Sequence, residues 1–220
     1  MSYNIAIDGP AGAGKSTIAK KIAKKLGYIY VDTGAMYRAM ALYLLREQIK
    51  PSETDKISAK CMEADISIGY ENGEQIVYLN GENVNGLIRT EEVGNMASAS
   101  SPNPSVRKKL VELQQKLAAS KDVVMDGRDI GTCVLPHAQV KVYLTADSRV
   151  RAGRRYNELK QRGVTCDIDT IEQDIIERDR QDMTRENSPL MQAEDAILVD
   201  SSYMTIDEVA DAIIALTKKE

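Results

Sequence analysis

Asn4-Ile5-Ala6-Ile7-Asp8-Gly9-Pro10-Ala11-Gly12-Ala13-Gly14-Lys15-Ser16-Thr17 decides the reading of this chain. Residues 9–16 fit GxxxxGK(S/T), a loop whose glycines let the backbone curl around phosphate oxygens and aim its N–H groups at them. Gly9, Pro10, Ala11, Gly12, Ala13, Gly14, Lys15, Ser16 and Thr17 are therefore the expected cradle of a nucleoside triphosphate. Lys15 is placed to reach the β- and γ-phosphates, the Ser16 hydroxyl suits Mg2+, and Thr17 adds a donor in the first helical turn. Both flanks agree. Asn4 to Asp8 reads as a buried parallel strand; Ile18, Ile22, Ala23 and Leu26 mark one helical face, with Gly27 where a C-cap belongs. A dinucleotide site of the Rossmann type is excluded, because Thr17 stands where that fingerprint needs its third glycine.

The chain has 220 residues and is 43% hydrophobic, which suits one α/β domain with a small insertion. Cys61, Cys133 and Cys166 are scattered and form no CxxC pair, which argues against zinc and against a disulfide framework. Charged and glycine residues interrupt the N-terminus, and no apolar run approaches the ~20 residues of a membrane span. A cytoplasmic protein without a membrane partner is expected. The net charge of -4 gives no general attraction to nucleic acid, and without Phe or Trp there is little to stack bases on.

Further along, Tyr28 to Val31, Val123 to Asp126, Val140 to Leu144 and Ile197 to Asp200 read as buried strands interleaved with helices, one of them over Val106 to Ala119. Interleaving predicts a parallel sheet. Between about Pro51 and Arg89, alternating stretches separated by Asn72-Gly73 and Asn80-Gly81 predict antiparallel hairpins inserted into that fold. Ser98 to Pro104 reads as a loop. Asp126, ending an apolar strand, has the position of a Walker-B acid holding Mg2+ through water, or of a cap.

Phosphoryl transfer requires cations at the phosphates. Arg149, Arg151, Arg154 and Arg155 crowd the start of a helix near 148–161, where Arg151 and Arg155 form an i,i+4 like-charge pair. Either an anionic ligand or carboxylates such as Asp147 and Glu158 would relieve it. Asp174, Arg178, Asp182 and Arg185 alternate along the next helix, as a binding face or as a surface ladder. Arg162 to Thr165 suits the hinge of a lid. Arg38 and Arg128 follow strand ends, where α/β folds bind ligands; Asp129 could orient Arg128 or read a base. The single histidine, His137, follows Pro136 in a turn and makes a poor catalytic base. An acceptor that is already ionised, a nucleoside monophosphate, needs none.

GPAGAGKST, DTGAMYR (32–38), IRTEEVGNMAS (88–98), DGRDIGT (126–132) and the arginine-rich lid together resemble the bacterial cytidylate kinase family of nucleoside monophosphate kinases, over essentially the whole chain. The resemblance implies a P-loop fold: a five-stranded parallel sheet flanked by helices, a small antiparallel β insert in the monophosphate-binding region and a helical lid. It implies a single kinase domain over 1–220, with a core (1–33, 105–148, 186–220), a monophosphate-binding region (34–104) and a lid with flanking helices (149–185). The activity implied is transfer from ATP, with Mg2+, to CMP or dCMP by a monomer. Thr33, Arg107 and Asp129 would read cytosine; Arg38, Arg128 and Arg185 would hold the acceptor phosphate; Ser98, Arg178 and Asp182 would contact the pentose. Arg151, Arg154 and Arg155 would close over the transferring group, with Lys15. Some members carry Ser where this chain has Thr33, and the shared hydroxyl preserves the hydrogen bond. The other readings of the P-loop are a kinase for UMP, AMP or a small alcohol, and a regulatory GTPase, which the absence of NKxD disfavours.

Overall fold

The computed structural model describes residues 2–161 and 163–218. In chain order the elements are β1 (Asn4–Asp8), α1 (Lys15–Leu26), β2 (Ile29–Asp32), α2 (Thr33–Arg46), α3 (Thr54–Lys60), β3 (Ile66–Glu71), β4 (Glu74–Leu79) and β5 (Glu82–Asn83). Then follow α4 (Glu91–Ser100), α5 (Pro104–Ser120), β6 (Val123–Gly127), β7 (Val140–Thr145), α6 (Ser148–Gln161), α7 (Ile168–Thr184), β8 (Ile197–Asp200) and α8 (Ile206–Leu216). The five-stranded sheet runs β2-β6-β1-β7-β8, and a three-stranded sheet runs β3-β4-β5.

Two compact units divide the chain, Ile29–Asp122 and the remainder from Tyr3. In the larger unit β1 pairs in parallel with β6 and β7, and β7 with β8. Ile5, Ile7, Val123, Val124 and Met125 are fully buried, so these strands read as apolar runs rather than alternations. The register sets Ile7 opposite Asp126 and Asp8 opposite Gly127, so the P-loop and the end of β6 emerge side by side. Helix α1 packs between β6 and α8 through Ile18, Ala19, Ile22 and Ala23, and stops at Gly27 (φ 73), whose N–H donates to Ala23 O. Helices α6 and α7 pack on each other over their own small cluster, Ala152, Ile171 and Ile175, flanked by Tyr156, Leu159 and Ile168.

In the other unit, α2 packs on α4 and α5 through a buried face that includes Met36, Met40 and Leu44. The antiparallel insert forms as its turns predict: Asn72 and Gly73 have φ of 52° and 80°, and Asn80 and Gly81 have 50° and 81°. Positive φ at both central residues matches the right-handed strand twist and favours Asn-Gly. The expected Ser98 to Pro104 loop narrows to residues 101–103: α4 continues to Ser100 and α5 begins at Pro104. Val93, Met96, Ala97 and Ser100 bury one helical face, and Ser100 Oγ donates back to Met96 O, so its hydroxyl is satisfied without leaving the helix. Arg162 of the expected hinge lies outside the described residues. Among them, no helix is long and apolar enough to cross a membrane.

Candidate active site

At Gly9 (φ 146) a Cβ would run into the Leu144 carbonyl, and at Gly12 (φ 76) it would lie 3.3 Å from Arg151 Cβ. Glycine is therefore required for the loop to lie this close to β7 and α6. Lys15 is buried and folds back, its Nζ donating to Pro10 O at 2.7 Å. Burial lowers its pKa, and the charge of Arg128 lowers it further, against the opposing pull of Asp126, Asp8 and Asp182. A phosphate would reverse that shift. Ser16 Oγ donates to Asp126 Oδ2 at 2.9 Å, so the expected hydroxyl and carboxylate stand together. A cavity of about 570 Å³ opens beside residues 12–18, walled by Arg154 and Arg155 of α6 and by Met204 and Ile206.

The loop after β6 meets the end of α7 through two crossed ion pairs. Arg128 Nε donates to Asp182 Oδ2 at 2.8 Å, and Arg185 lies 3.8 Å from Asp129, the latter two side chains almost wholly covered. Arg185 itself caps α7 and donates to Ser188 O at 2.6 Å. Asp182 and Arg185 thus reach this loop rather than completing a ladder along the helix, while Arg178 is exposed on α7. Of the lid arginines, Arg155 pairs with Glu158 at 2.9 Å. Arg154 donates to Ala13 O and to Ser201 O, at 3.3 and 2.8 Å. Arg151 is buried: Nε donates to Ala146 O, and NH1 to Ala11 O at 3.0 Å while pairing with Asp179 at 2.7 Å. Carboxylates therefore relieve the expected Arg151/Arg155 repulsion.

In the smaller unit, Thr33 opens α2 and is buried, and Arg38 lies one turn on. Arg107, at the start of α5, is buried with its guanidinium 5.8 Å from the Tyr37 ring centroid, a cation–π arrangement, and NH1 3.5 Å from Ser101 O. Ser98 stands on α4, partly exposed. His137 is exposed in a turn.

A sequence profile of the family described as cytidylate kinase matches residues 5–219. A cytidylate kinase of Caldicellulosiruptor saccharolyticus is 52% identical over 216 residues, 98% of this chain and 96% of that protein. The chain belongs to the cytidylate kinase family. A second cytidylate kinase, from Oceanobacillus iheyensis, is 48% identical over 96% of this chain and 91% of its own length. Membership makes the chain an ATP-dependent nucleoside monophosphate kinase. Two solved structures share the fold at 14% identity, each with a TM-score of 0.51: a gluconokinase of Sinorhizobium meliloti (98% of this chain, 92% of that one) and a shikimate kinase of Bacteroides thetaiotaomicron (98% of both).

Three residues at this cytidylate kinase site escaped the sequence reading. Asp8 accepts from the N–H groups of Ile130 and Gly131, each at 2.7 Å, and so fixes the turn after Asp129. Burial raises its pKa to about 6, against those two hydrogen bonds. Asp179 holds Arg151, and the buried Ser201 supports Arg154. Asp8 carried a signal, a charged residue closing an apolar strand; Asp179 and Ser201 carried none without their partners.

Proposed function

We propose that the chain transfers the γ-phosphoryl group of ATP to CMP or dCMP, giving ADP and CDP or dCDP. The observation that carries this reading is that the phosphate loop bearing the buried Lys15 and the loop bearing Arg128 leave the ends of adjacent parallel strands, β1 and β6. Cations on two neighbouring loops favour anions at both, one phosphate from the donor and one from the acceptor. Lys15 swings from Pro10 O onto the β- and γ-phosphates, while the apolar wall at Met204 and Ile206 takes the adenine.

Ser16 and Asp126 would hold Mg2+, the hydroxyl as a ligand and the carboxylate through water. Their oxygens stand 2.9 Å apart, a hard hydroxyl and a carboxylate on one side of the phosphate loop. That fits an ion whose shell is completed by phosphates and water. When bound, Mg2+ neutralises charge on the β- and γ-oxygens.

Arg38, Arg128 and Arg185 hold the acceptor phosphate, which displaces Asp182 from Arg128. Asp182 then joins Ser98 and Arg178 at the pentose. Thr33, Arg107 and Asp129 read cytosine: its amino group donates to the carboxylate, and its ring nitrogen and carbonyl accept from the guanidinium. Arg151, Arg154 and Arg155 close over the transferring group, Arg154 and Arg155 from the cavity wall and Arg151 from beside Ala11, whose carbonyl it holds. Transfer is direct and in line, without a covalent enzyme intermediate or a base, since the acceptor is already ionised. The protein works as a cytoplasmic monomer, one kinase domain with monophosphate-binding region 34–104 and lid 149–185.

An ATP-coupled assay over AMP, CMP, dCMP, GMP, UMP and shikimate tests the proposal. CMP or dCMP should give the highest kcat/KM; a higher value for any other acceptor overturns it.

A further inference from the structure

The turn from β2 into α2 carries Thr33 and Arg38, and everything around it converges on Asp32. Asp32 Oδ1 accepts from Ala35 N at 2.8 Å and so caps α2. Arg89, which follows β5, donates NH2 to Asp32 Oδ2 at 3.1 Å, while Arg38 NH2 stands 3.6 Å from the same oxygen. The main chain of Asp32 is taken by one side chain of the insert. Asp32 N donates to Gln75 Oε1 at 2.8 Å, and Gln75 Nε2 donates to Asp32 O at 3.2 Å. A side-chain amide that satisfies both backbone groups of one residue does what a neighbouring strand would do. Two residues earlier, Tyr70 of β3 donates its hydroxyl to Tyr30 O at 3.2 Å. A Cβ on Gly34 would lie 3.2 Å from Asp32 Oδ1 and 3.5 Å from Arg38 NH1, so the turn is packed tightly on itself.

We infer that Gln75 and Arg89 are positioning residues for the acceptor nucleotide, through which the β insert sets the orientation of Thr33 and Arg38. The inference rests on the reading above, in which Thr33 and Arg38 face CMP. Gln75 fixes the peptide groups on either side of Asp32, and the Thr33 side chain leaves the next residue. Arg89 holds Asp32 Oδ2 at the shorter distance and leaves Arg38 beyond hydrogen-bond reach of that oxygen. Without Arg89 the existing 3.6 Å ion pair with Arg38 would be left to tighten on that oxygen, and an incoming phosphate would have to compete with it.

Gln75→Leu removes both bonds to Asp32; Arg89→Met removes the cation but keeps its stem, and Arg89→Lys restores the charge. Each full-length enzyme is assayed with CMP at saturating ATP, with ATP at saturating CMP, and with UMP. Gln75→Leu and Arg89→Met should each raise the KM for CMP by about 3- to 10-fold, the scale of one hydrogen bond, with the KM for ATP within about 2-fold. Gln75→Leu should also narrow the CMP:UMP ratio of kcat/KM, and Arg89→Lys should recover most of the loss seen in Arg89→Met. An unchanged KM for CMP in a folded variant, or equal rises for CMP and ATP, overturns the inference. If Gln75→Leu does not fold, the Arg89 pair decides by the same readings. Failure of the wild type to prefer CMP would sink the functional reading instead, before any variant is compared.

Discussion

Asp129 is buried with its carboxylate 3.8 Å from Arg185, and Asp182 pairs with Arg128. If Asp129 reads the base, as proposed, the two pyrimidine substrates should separate sharply. UMP presents a carbonyl where CMP presents an amino group, and a buried carboxylate facing a lone pair can cost as much as ~10⁴-fold in kcat/KM. Asp129→Ala should damage CMP phosphorylation far more than UMP phosphorylation. Equal losses for the two substrates would mean that Asp129 serves only to hold Arg185. Asp8 offers a second test, by pH. Its folded pKa of about 6 lies above the ordinary 3.8, mainly because of burial. The folded state therefore binds a proton more readily than the unfolded one. This contribution to stability is fully present below about 3.8 and is lost as pH rises through about 6. Against Asp8→Asn, whose side chain does not titrate, the wild type should gain on the order of 1 to 3 kcal/mol between pH 7 and pH 4.5. The measurement is the difference in unfolding free energy at the two pH values; a flat difference would rule out a raised pKa.

At the scale of elements, the α6 arginines divide by burial. Removing Arg151 would strand Asp179, 9% exposed and with its Oδ1 unbonded among the described residues. A buried carboxylate left without its cation costs about 3 to 5 kcal/mol. Arg151→Ala should lower the melting temperature markedly, while Arg155→Ala, an exposed pair with Glu158, should leave it within a degree or so. Equal thermal shifts would contradict this division. The helix spanning all these arginines was legible from its composition, but not which of them turns inward. Spacing places Arg151 and Arg155 on one face, whereas burial depends on Ala146 just before the helix and on Ala11 and Asp179, distant in sequence. Similarly, Ser and Asn density suggested a loop at Ser98, yet the buried face of Val93, Met96, Ala97 and Ser100 prevailed over weak propensity.

Over the whole molecule, the parallel sheet could be read because β1, β6 and β7 are short apolar runs ended by punctuation: Gly9, Gly127 and the Asp147-Ser148 helix start. The phosphate loop could be read because its chemistry is local. The residues that pair across the fold, Asp8 with Ile130 and Asp182 with Arg128, could not, since their meaning appears only when strand ends become neighbours. The α6–α7 hairpin has a further consequence. Its own apolar cluster consists of Ala152, Ile171 and Ile175, the last two each 9% exposed, which is little surface to hold two helices of 14 and 17 residues. Local opening free energy follows such contact density, so this hairpin belongs to the least protected part of the chain. Amide hydrogens of α6 and α7 should exchange faster than those of β1 and β6, and limited proteolysis should cut first at the exposed residues 163–165. A first cut in the antiparallel insert instead would contradict this. The same economy suits catalysis, because a hairpin with so small an apolar cluster of its own is tied to the phosphate loop chiefly by polar contacts of Arg151 and Arg154, which bound phosphates can exchange for their own, while the strands beneath stay formed.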